Sequence, residues 1–355
     1  MNDPRRKIAP VFKVVFTLSF AIILAFICYF LFTTFLLNPW LETNQRELCV
    51  LNFYAHKNIS TVPEIFFIGT SQVKEGLDCY IIENDFKKSN ISFNCYNLAV
   101  NADSPLRRLI ELDSIIKSKP QAVVIGTGYS DIYQGEKIDD SRLMLVSNKI
   151  VSNKIVSNKI ILDNTSLKLF DNKQLELLNL NPIERDISSR IYIISYLNYW
   201  TVNKLSPNSD ADYAYRNNFK DPHTTFNDPA IENLTIKEKI ALINKYSLTN
   251  DTVFAENYGD TANKLALKHI IQELNKNNIT VILVAMPLDP LGAQTISDTT
   301  QNNYFSFLNS TGAPSYNFQN RYPSNYFHDL DHMNVEGRTS FSHDIAEIII
   351  KEVEQ

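Results

Sequence analysis

The chain has 355 residues, 44% of them hydrophobic, and a formal net charge of −5. That length and apolar share support a large buried core and exclude a disordered chain. The acidic balance, with no basic patch interleaved with aromatics, argues against nucleic acid as a partner.

Residues 1–13 carry Arg5, Arg6, Lys7 and Lys13 against Asp3, which leaves the remainder of the chain at −8. Residues 14–37 then run for 24 positions without a charge, enough to cross a hydrocarbon core of roughly 30 Å with some tilt. A cleaved signal peptide has a shorter apolar region and a small-residue cleavage site, which Leu36-Leu37-Asn38-Pro39-Trp40 lacks. We therefore expect a basic cytoplasmic tail at 1–13 and an uncleaved transmembrane helix at 14–37 held in the lipid bilayer of the cell membrane. Positive charge before a span stays in the cytoplasm, so the rest of the chain should be extracytoplasmic, with Trp40 at the interface. Residues 38–63 read as a juxtamembrane connector.

Cys28 lies within the span, whereas Cys49, Cys79 and Cys95 follow it. Three exported cysteines permit one disulfide and leave one thiol over. Cys79 and Cys95 flank the first expected helix and second expected strand and are candidates to pair; three buried thiols account for them equally well. No pair has zinc-ribbon spacing.

Residues 65–68, Ile-Phe-Phe-Ile, are too short for a helix and apolar on both faces, which predicts a buried parallel strand ending at Gly69. Ser71 follows at once. Ligands bind outside the carboxyl ends of the strands in open α/β sheets, so this serine is a candidate for chemistry; Thr70 and Ser71 acting only as helix caps is the plainer alternative. A helix is expected at 77–86, a strand at 92–98 and a helix at 105–118, where Leu106, Leu109, Ile110, Leu112, Ile115 and Ile116 form a stripe. A third strand, 122–125, stops at Gly126. This β-α-β-α-β order predicts an α/β fold with a parallel sheet and right-handed crossovers.

Residues 132–260 read as an insertion. They include Val-Ser-Asn-Lys-Ile three times in tandem at 146–160. Five residues match neither the helical nor the strand period, so no single buried face results, and the unit is too short for a solenoid. A duplicated surface segment is the expectation. Residues 188–200, rich in Ile, Tyr and Leu, are a candidate helix closing over the site or docking a partner. Regular pattern resumes with Asp260-Thr261 as a helix N-cap ahead of Leu267, Ile270, Ile271 and Leu274. An apolar strand at 279–285, a turn at Met286-Pro287-Leu288-Asp289-Pro290, a weak strand at 314–318 and a final helix carrying Phe341, Ile345 and Ile348 complete the pattern.

Ahead of that last helix stands Phe327-His328-Asp329-Leu330-Asp331-His332-Met333-Asn334. Residues three apart are neighbours on one helical turn. Asp329 would then orient His332 to take a proton from Ser71, the division of labour of a serine triad. Asp331 is a weaker orienter, since residues so close in sequence diverge on a helix. A metal site built from His328, His332, Asp329 and Asp331 would leave Ser71 unexplained, so we expect no metal and no cofactor. His56, His223, His269 and His343 read as surface or satisfied polar residues.

A serine early in the chain, Asp-x-x-His near its end and alternating strands and helices resemble the SGNH/GDSL hydrolase family. Ser71 matches its block I nucleophile, and Asp329 and His332 match its last block. The run His-Asp-Leu-Asp-His-Met-Asn-Val-Glu-Gly is similar to the membrane-anchored branch that transfers acyl groups on envelope polymers, as in lipoteichoic acid D-alanylation and alginate acetylation. The resemblance covers residues 64–355 apart from the insertion. It implies a three-layer, flavodoxin-like α/β/α sandwich on about five parallel strands. Two blocks depart from the family pattern. Ala102, beside Asn101, stands where block II has glycine; a backbone N–H survives that change, whereas a glycine-only conformation would not. Block III, Gly-x-Asn-Asp, falls on Gly128-Tyr129-Ser130-Asp131, with Ser130 in place of the oxyanion-binding asparagine. Losing an oxyanion donor lowers rates by about 10²–10³.

The expectation is an extracytoplasmic serine esterase or acyltransferase in which Ser71 attacks an acyl carbonyl. The resemblance implies an acylated glycan or anionic polymer as substrate and a polytopic membrane acyltransferase as partner. The alternative is an inactive scaffold of the same fold, favoured by Ala102 and Ser130 and disfavoured by the retention of all three triad residue types.

Overall fold

The computed structural model of the chain describes residues 5–37, 46–57, 60–133, 168–170, 172–179, 218–220, 232–246 and 261–353. Helix α1, Arg5–Phe32, carries most of the uncharged run. The stretch Lys13–Phe35, which runs on from it into a π-helical segment Thr33–Leu37, has a mean hydropathy of 2.7 and apart from Thr33 is not buried in the protein, so it is long and apolar enough to cross a membrane. Helix α2 is Arg46–His56. Strand β1, Glu64–Ile68, leads to helices α3, Ser71–Gly76, and α4, Cys79–Lys88. Then follow β2, Asn94–Asn97, α5, Pro105–Ser118, β3, Ala122–Thr127, and the short α6, Tyr129–Tyr133. Within the insertion the described helices are α7, Asn172–Asn179, and α8, Ile236–Tyr246. The C-terminal part runs α9, Ala262–Lys276, β4, Thr280–Ala285, α10, Pro290–Ala293, α11, Asp298–Ser310, β5, Ser315–Asn317, and α12, Val335–Val353.

The five strands form one parallel sheet in the order β2-β1-β3-β4-β5. Strands β1, β3 and β4 are apolar at nearly every position because helices cover both faces. On one face Phe66, Ile68, Val123, Ile125 and Leu283 meet α2, α5, α9 and α11. On the other, Ile65, Phe67, Val124, Ile282 and Val284 meet α4 and α12. The result is an α/β protein in three layers. Strand order reverses between β1 and β3, and at that switch point the helices leave in opposite directions and open a crevice at the strand ends.

Two expected elements are redrawn. The helix expected at 77–86 runs over Cys79–Lys88 and is preceded by a further short helix, Ser71–Gly76: Leu77 between them is extended, and Asp78 starts the second by accepting N–H bonds from Tyr80 at 2.8 Å and Ile81 at 3.4 Å. The stretch 38–63, expected to be only a connector, contains α2, whose Leu48, Val50, Leu51 and Tyr54 are buried in the core. The apolar spacing of those residues is helical, and the sheet face they cover would otherwise meet water. Cys79 and Cys95 form a disulfide across a sequence separation of 16, Cys49 is a buried thiol, and Cys28 is exposed on α1. The repeats at 146–160 and the stretch 188–200 lie outside the described residues. Residues 218–220 of the insertion border the edge strand: Asn97 N–H donates to Phe219 O at 2.7 Å, and Cys79 N–H donates to Lys220 O at 2.8 Å.

Candidate active site

Gly69 ends β1 with φ +149°, and a Cβ there would collide with Gly126 O and Val73, so only glycine lets the chain turn into α3. The turn delivers Ser71 to the first position of α3, at the switch point. Thr70, the residue before the helix, makes no side-chain capping bond.

His332 comes from the loop ahead of α12. Phe327 and Met333 pair as an antiparallel bridge, and His328 N–H donates to His332 O at 2.9 Å, so residues 328–332 form a tight hairpin rather than the expected helical turn. Inside it Asp329 Oδ1 accepts the backbone N–H groups of Asp331 at 3.0 Å and His332 at 2.7 Å. An aspartate making its own turn in this way also brings residues three apart together, which is why Asp329 and His332 meet without a helix. Asp329 Oδ2 lies 2.9 Å from His332 Nδ1, and His332 Nε2 lies 2.9 Å from Ser71 Oγ. Asn334 caps α12 by accepting from Gly337 N–H at 3.0 Å and fixes the start of the helix by donating to Asn325 O at 2.8 Å.

Nδ1 also faces Asp331 Oδ1 at 3.1 Å. Divergence on a helix, the ground for ranking Asp331 second, does not hold in a hairpin. Burial disfavours charge on His332, but the hydrogen bonds and charges of Asp329 and Asp331 outweigh it and push the imidazole up to about 11. Burial likewise opposes ionisation of Asp329, and His332 with the two backbone N–H groups overcomes it, holding the carboxyl down at about 2. Burial lowers the pKa of neighbouring His328. Asp329, Asp331 and His332 bring donor atoms within 4.8 Å of one another, but Nδ1 sits against both carboxylates, so the group reads as an ion pair rather than a metal centre.

The residues expected around an oxyanion are placed unequally. Ser71, Gln72, Ala102, Ser130, Asp131 and Asp331 line one cavity of about 190 Å³. Ala102 adopts φ +48°, the left-handed region, so alanine takes here the conformation that glycine takes without strain. Asn101 is not among the residues lining the cavity; its Oδ1 accepts from Lys74 Nζ at 3.2 Å. Gly128 N–H is occupied, donating to Asp131 Oδ2 at 2.7 Å. Ser130 is exposed, and its hydroxyl lies 3.4 Å from Asp131 Oδ1.

The loop between β2 and α5 that carries Ala102 is held by buried charge. Arg46, on α2, donates to Asn97 O and to Ala99 O at 3.4 Å, with its guanidinium over the Phe219 ring. Arg108 donates to Leu98 O at 2.9 Å, and Arg107 and Arg108 both clasp Asp103 and Glu111. Asn97 Nδ2 donates to Val73 O and Leu77 O, both at 3.1 Å, which ties this loop to the helix of Ser71. The hairpin is pinned from the insertion. Lys239 on α8 is buried and donates to Asp289 Oδ2 at 2.7 Å, Ser324 O at 2.9 Å and Phe327 O at 3.0 Å, while Leu234 N–H donates to His328 O at 2.9 Å. Arg46, Asn97 and Lys239 were not singled out from the sequence. The stripe Leu48, Leu51, Tyr54 could have flagged α2, whereas Lys239 carries no local signal.

A family model that carries no functional description matches residues 210–354. Among curated proteins none matches the chain. Among solved structures, a lipase/acylhydrolase from Enterococcus faecalis is similar at 16% identity, over 42% of this chain and 83% of its own, with a TM-score of 0.19. At that score the two folds superpose too poorly for the description to be carried over.

Proposed function

We propose that this chain is an extracytoplasmic serine acyl hydrolase or acyltransferase, anchored through residues 14–37, in which Ser71 is the nucleophile, His332 its base and Asp329 the residue that orients the base. The observation that carries this reading is the continuous chain Ser71 Oγ, His332 Nε2, His332 Nδ1, Asp329 Oδ2, with 2.9 Å at each hydrogen-bonded step. Three side chains from opposite ends of the sequence meet in the order a triad requires, at the crevice where the sheet's strand order reverses. With His332 in its neutral form, Ser71 Oγ forms a bond to the acyl carbon as its proton passes to Nε2; the acyl carbon–oxygen bond breaks as the alcohol leaving group takes that proton, and water or an acceptor hydroxyl then releases the acyl group. The developing oxyanion would take the backbone N–H groups of Ser71 and of the Ala102 loop, which lines the same cavity. The cavity beside Ser71 is lined by polar and acidic residues, which favours a short acyl group on a polar glycan or envelope polymer over a long aliphatic chain. A polytopic acyltransferase as acyl donor is the partner that the family resemblance implies.

A second reading, a scaffold of the same fold without catalysis, draws on the occupied N–H of Gly128 and the exposed Ser130. Labelling of the detergent-solubilised full chain with a fluorophosphonate separates the two. Labelling lost in both Ser71→Ala and His332→Ala supports the enzyme; no labelling of the folded wild type supports the scaffold.

A further inference from the structure

Asp329 has two duties in the hairpin. Its Oδ1 builds the turn by accepting two backbone N–H groups, and its Oδ2 meets His332 Nδ1. Asp331 has no such turn to build. Its carboxylate is half-exposed, lines the cavity beside Ser71, and still stands 3.1 Å from the same Nδ1. The groups facing the His332 ring are the two carboxylates on one side and the Ser71 hydroxyl on the other, with His328 next on the hairpin and Lys239 beyond it. One N–H therefore has two carboxylate acceptors in reach, from residues two apart on a loop.

We propose that Asp331 is a second positioning carboxylate for His332, sharing with Asp329 the task of holding the Nδ1–H and able to take it over. The proposal rests on the reading of Ser71, His332 and Asp329 as nucleophile, base and orienter. It has a chemical consequence that a single-carboxylate triad lacks. When a triad aspartate becomes asparagine, the amide no longer favours the Nδ1–H tautomer, and rates fall by about 10⁴. Here the amide introduced by Asp329→Asn would still build the turn through its carbonyl oxygen, and the Nδ1–H would turn to Asp331. A carboxylate so placed also stabilises the imidazolium, so its removal should free the neutral base at lower pH.

The test uses the full chain in detergent, comparing wild type, Asp329→Asn, Asp331→Asn and the double variant by fluorophosphonate labelling rate against pH. Nitrogen-15 spectra of labelled histidine, with His332→Gln to assign the signal, report the tautomer directly. The expected result has three parts. Asp331→Asn labels within about threefold of wild type at its optimum, with its acid limb moved to lower pH. Asp329→Asn loses about 10- to 100-fold and keeps the Nδ1–H tautomer. The double variant loses about 10³–10⁴, the scale of an unoriented base, and the tautomer with it. The proposal is overturned if Asp329→Asn is already as slow as the double variant, or if Asp331→Asn leaves both the acid limb and the histidine signal unchanged. Failure of the underlying reading looks different: wild type itself does not label, while the tautomer spectra still show which carboxylate holds the ring.

Discussion

Ala102 sits where the shape of the site and its chemistry compete. Its φ of +48° places an L side chain in a region that disfavours it by roughly 1–2 kcal/mol. Ala102→Gly should relieve that strain and raise stability by up to about 1 kcal/mol in urea denaturation, while leaving the N–H at position 102 in place; a loss of stability there would mean that the methyl group packs favourably. Asp329 and His332 make a prediction in pH. A carboxyl held down at about 2 contributes stability that is complete above its unfolded value near 4 and is lost as pH falls through about 2. A histidine raised to about 11 contributes stability that is complete below its unfolded value near 6.5 and is lost as pH rises through about 11. The stability difference between wild type and Asp329→Asn, followed by denaturant titration, should therefore plateau between about pH 4 and 6.5 and decay on both sides. The proximity of Asp329 and His332 was legible in their spacing, but the reason was not. A helical turn and an aspartate-made hairpin both bring residues three apart together, and only the hairpin lets Asp331 reach the ring as well.

At the scale of elements, the sheet was legible because β1, β3 and β4 are short and apolar on both faces; Gly69 closes β1 as expected, whereas β3 runs on through Gly126 to Thr127. Helix α5 fell on its expected residues because Ser104, Pro105 and the leucine stripe mark its start and its buried face. What escaped was long-range. Lys239 reaches from α8 to Asp289 and the carbonyls of Ser324 and Phe327, and nothing within ten residues of it announces that. Lys239→Met removes one member of a buried pair and leaves Asp289 without its ammonium, a change that should destabilise by about 3–5 kcal/mol. Thermal unfolding would measure this, and Ile236→Ala, on the exposed side of the same helix, serves as a control expected to change little. The Cys79–Cys95 bridge closes a loop of about 16 residues between α4 and β2. Reduction without denaturation should lower the unfolding free energy by about 3 kcal/mol, read as a drop in the denaturation midpoint under reductant.

For the molecule as a whole, α2 decides where the folded unit begins. Leu48, Val50, Leu51 and Tyr54 are all buried, at about 2 kcal/mol for each such side chain, and Arg46 holds the carbonyls behind the Ala102 loop. A chain starting at residue 42 should fold with sharp near-ultraviolet dichroism, while one starting at Glu64 should lose that signal and aggregate. Equal folding of the two would show that α2 is dispensable.

The rooting of α2 also sets a radius of action. Only residues 38–45 separate the apolar helix from the first residue of α2, and a stretch of that length spans about 30 Å even when fully drawn out. With the helix in a bilayer, and on the proposed reading of Ser71 as nucleophile, the serine could not roam into a thick wall or follow a substrate into solution. It would patrol a shallow layer above the lipid, and its encounters would depend on how many substrate molecules share the same patch of membrane rather than on their concentration in the surrounding fluid.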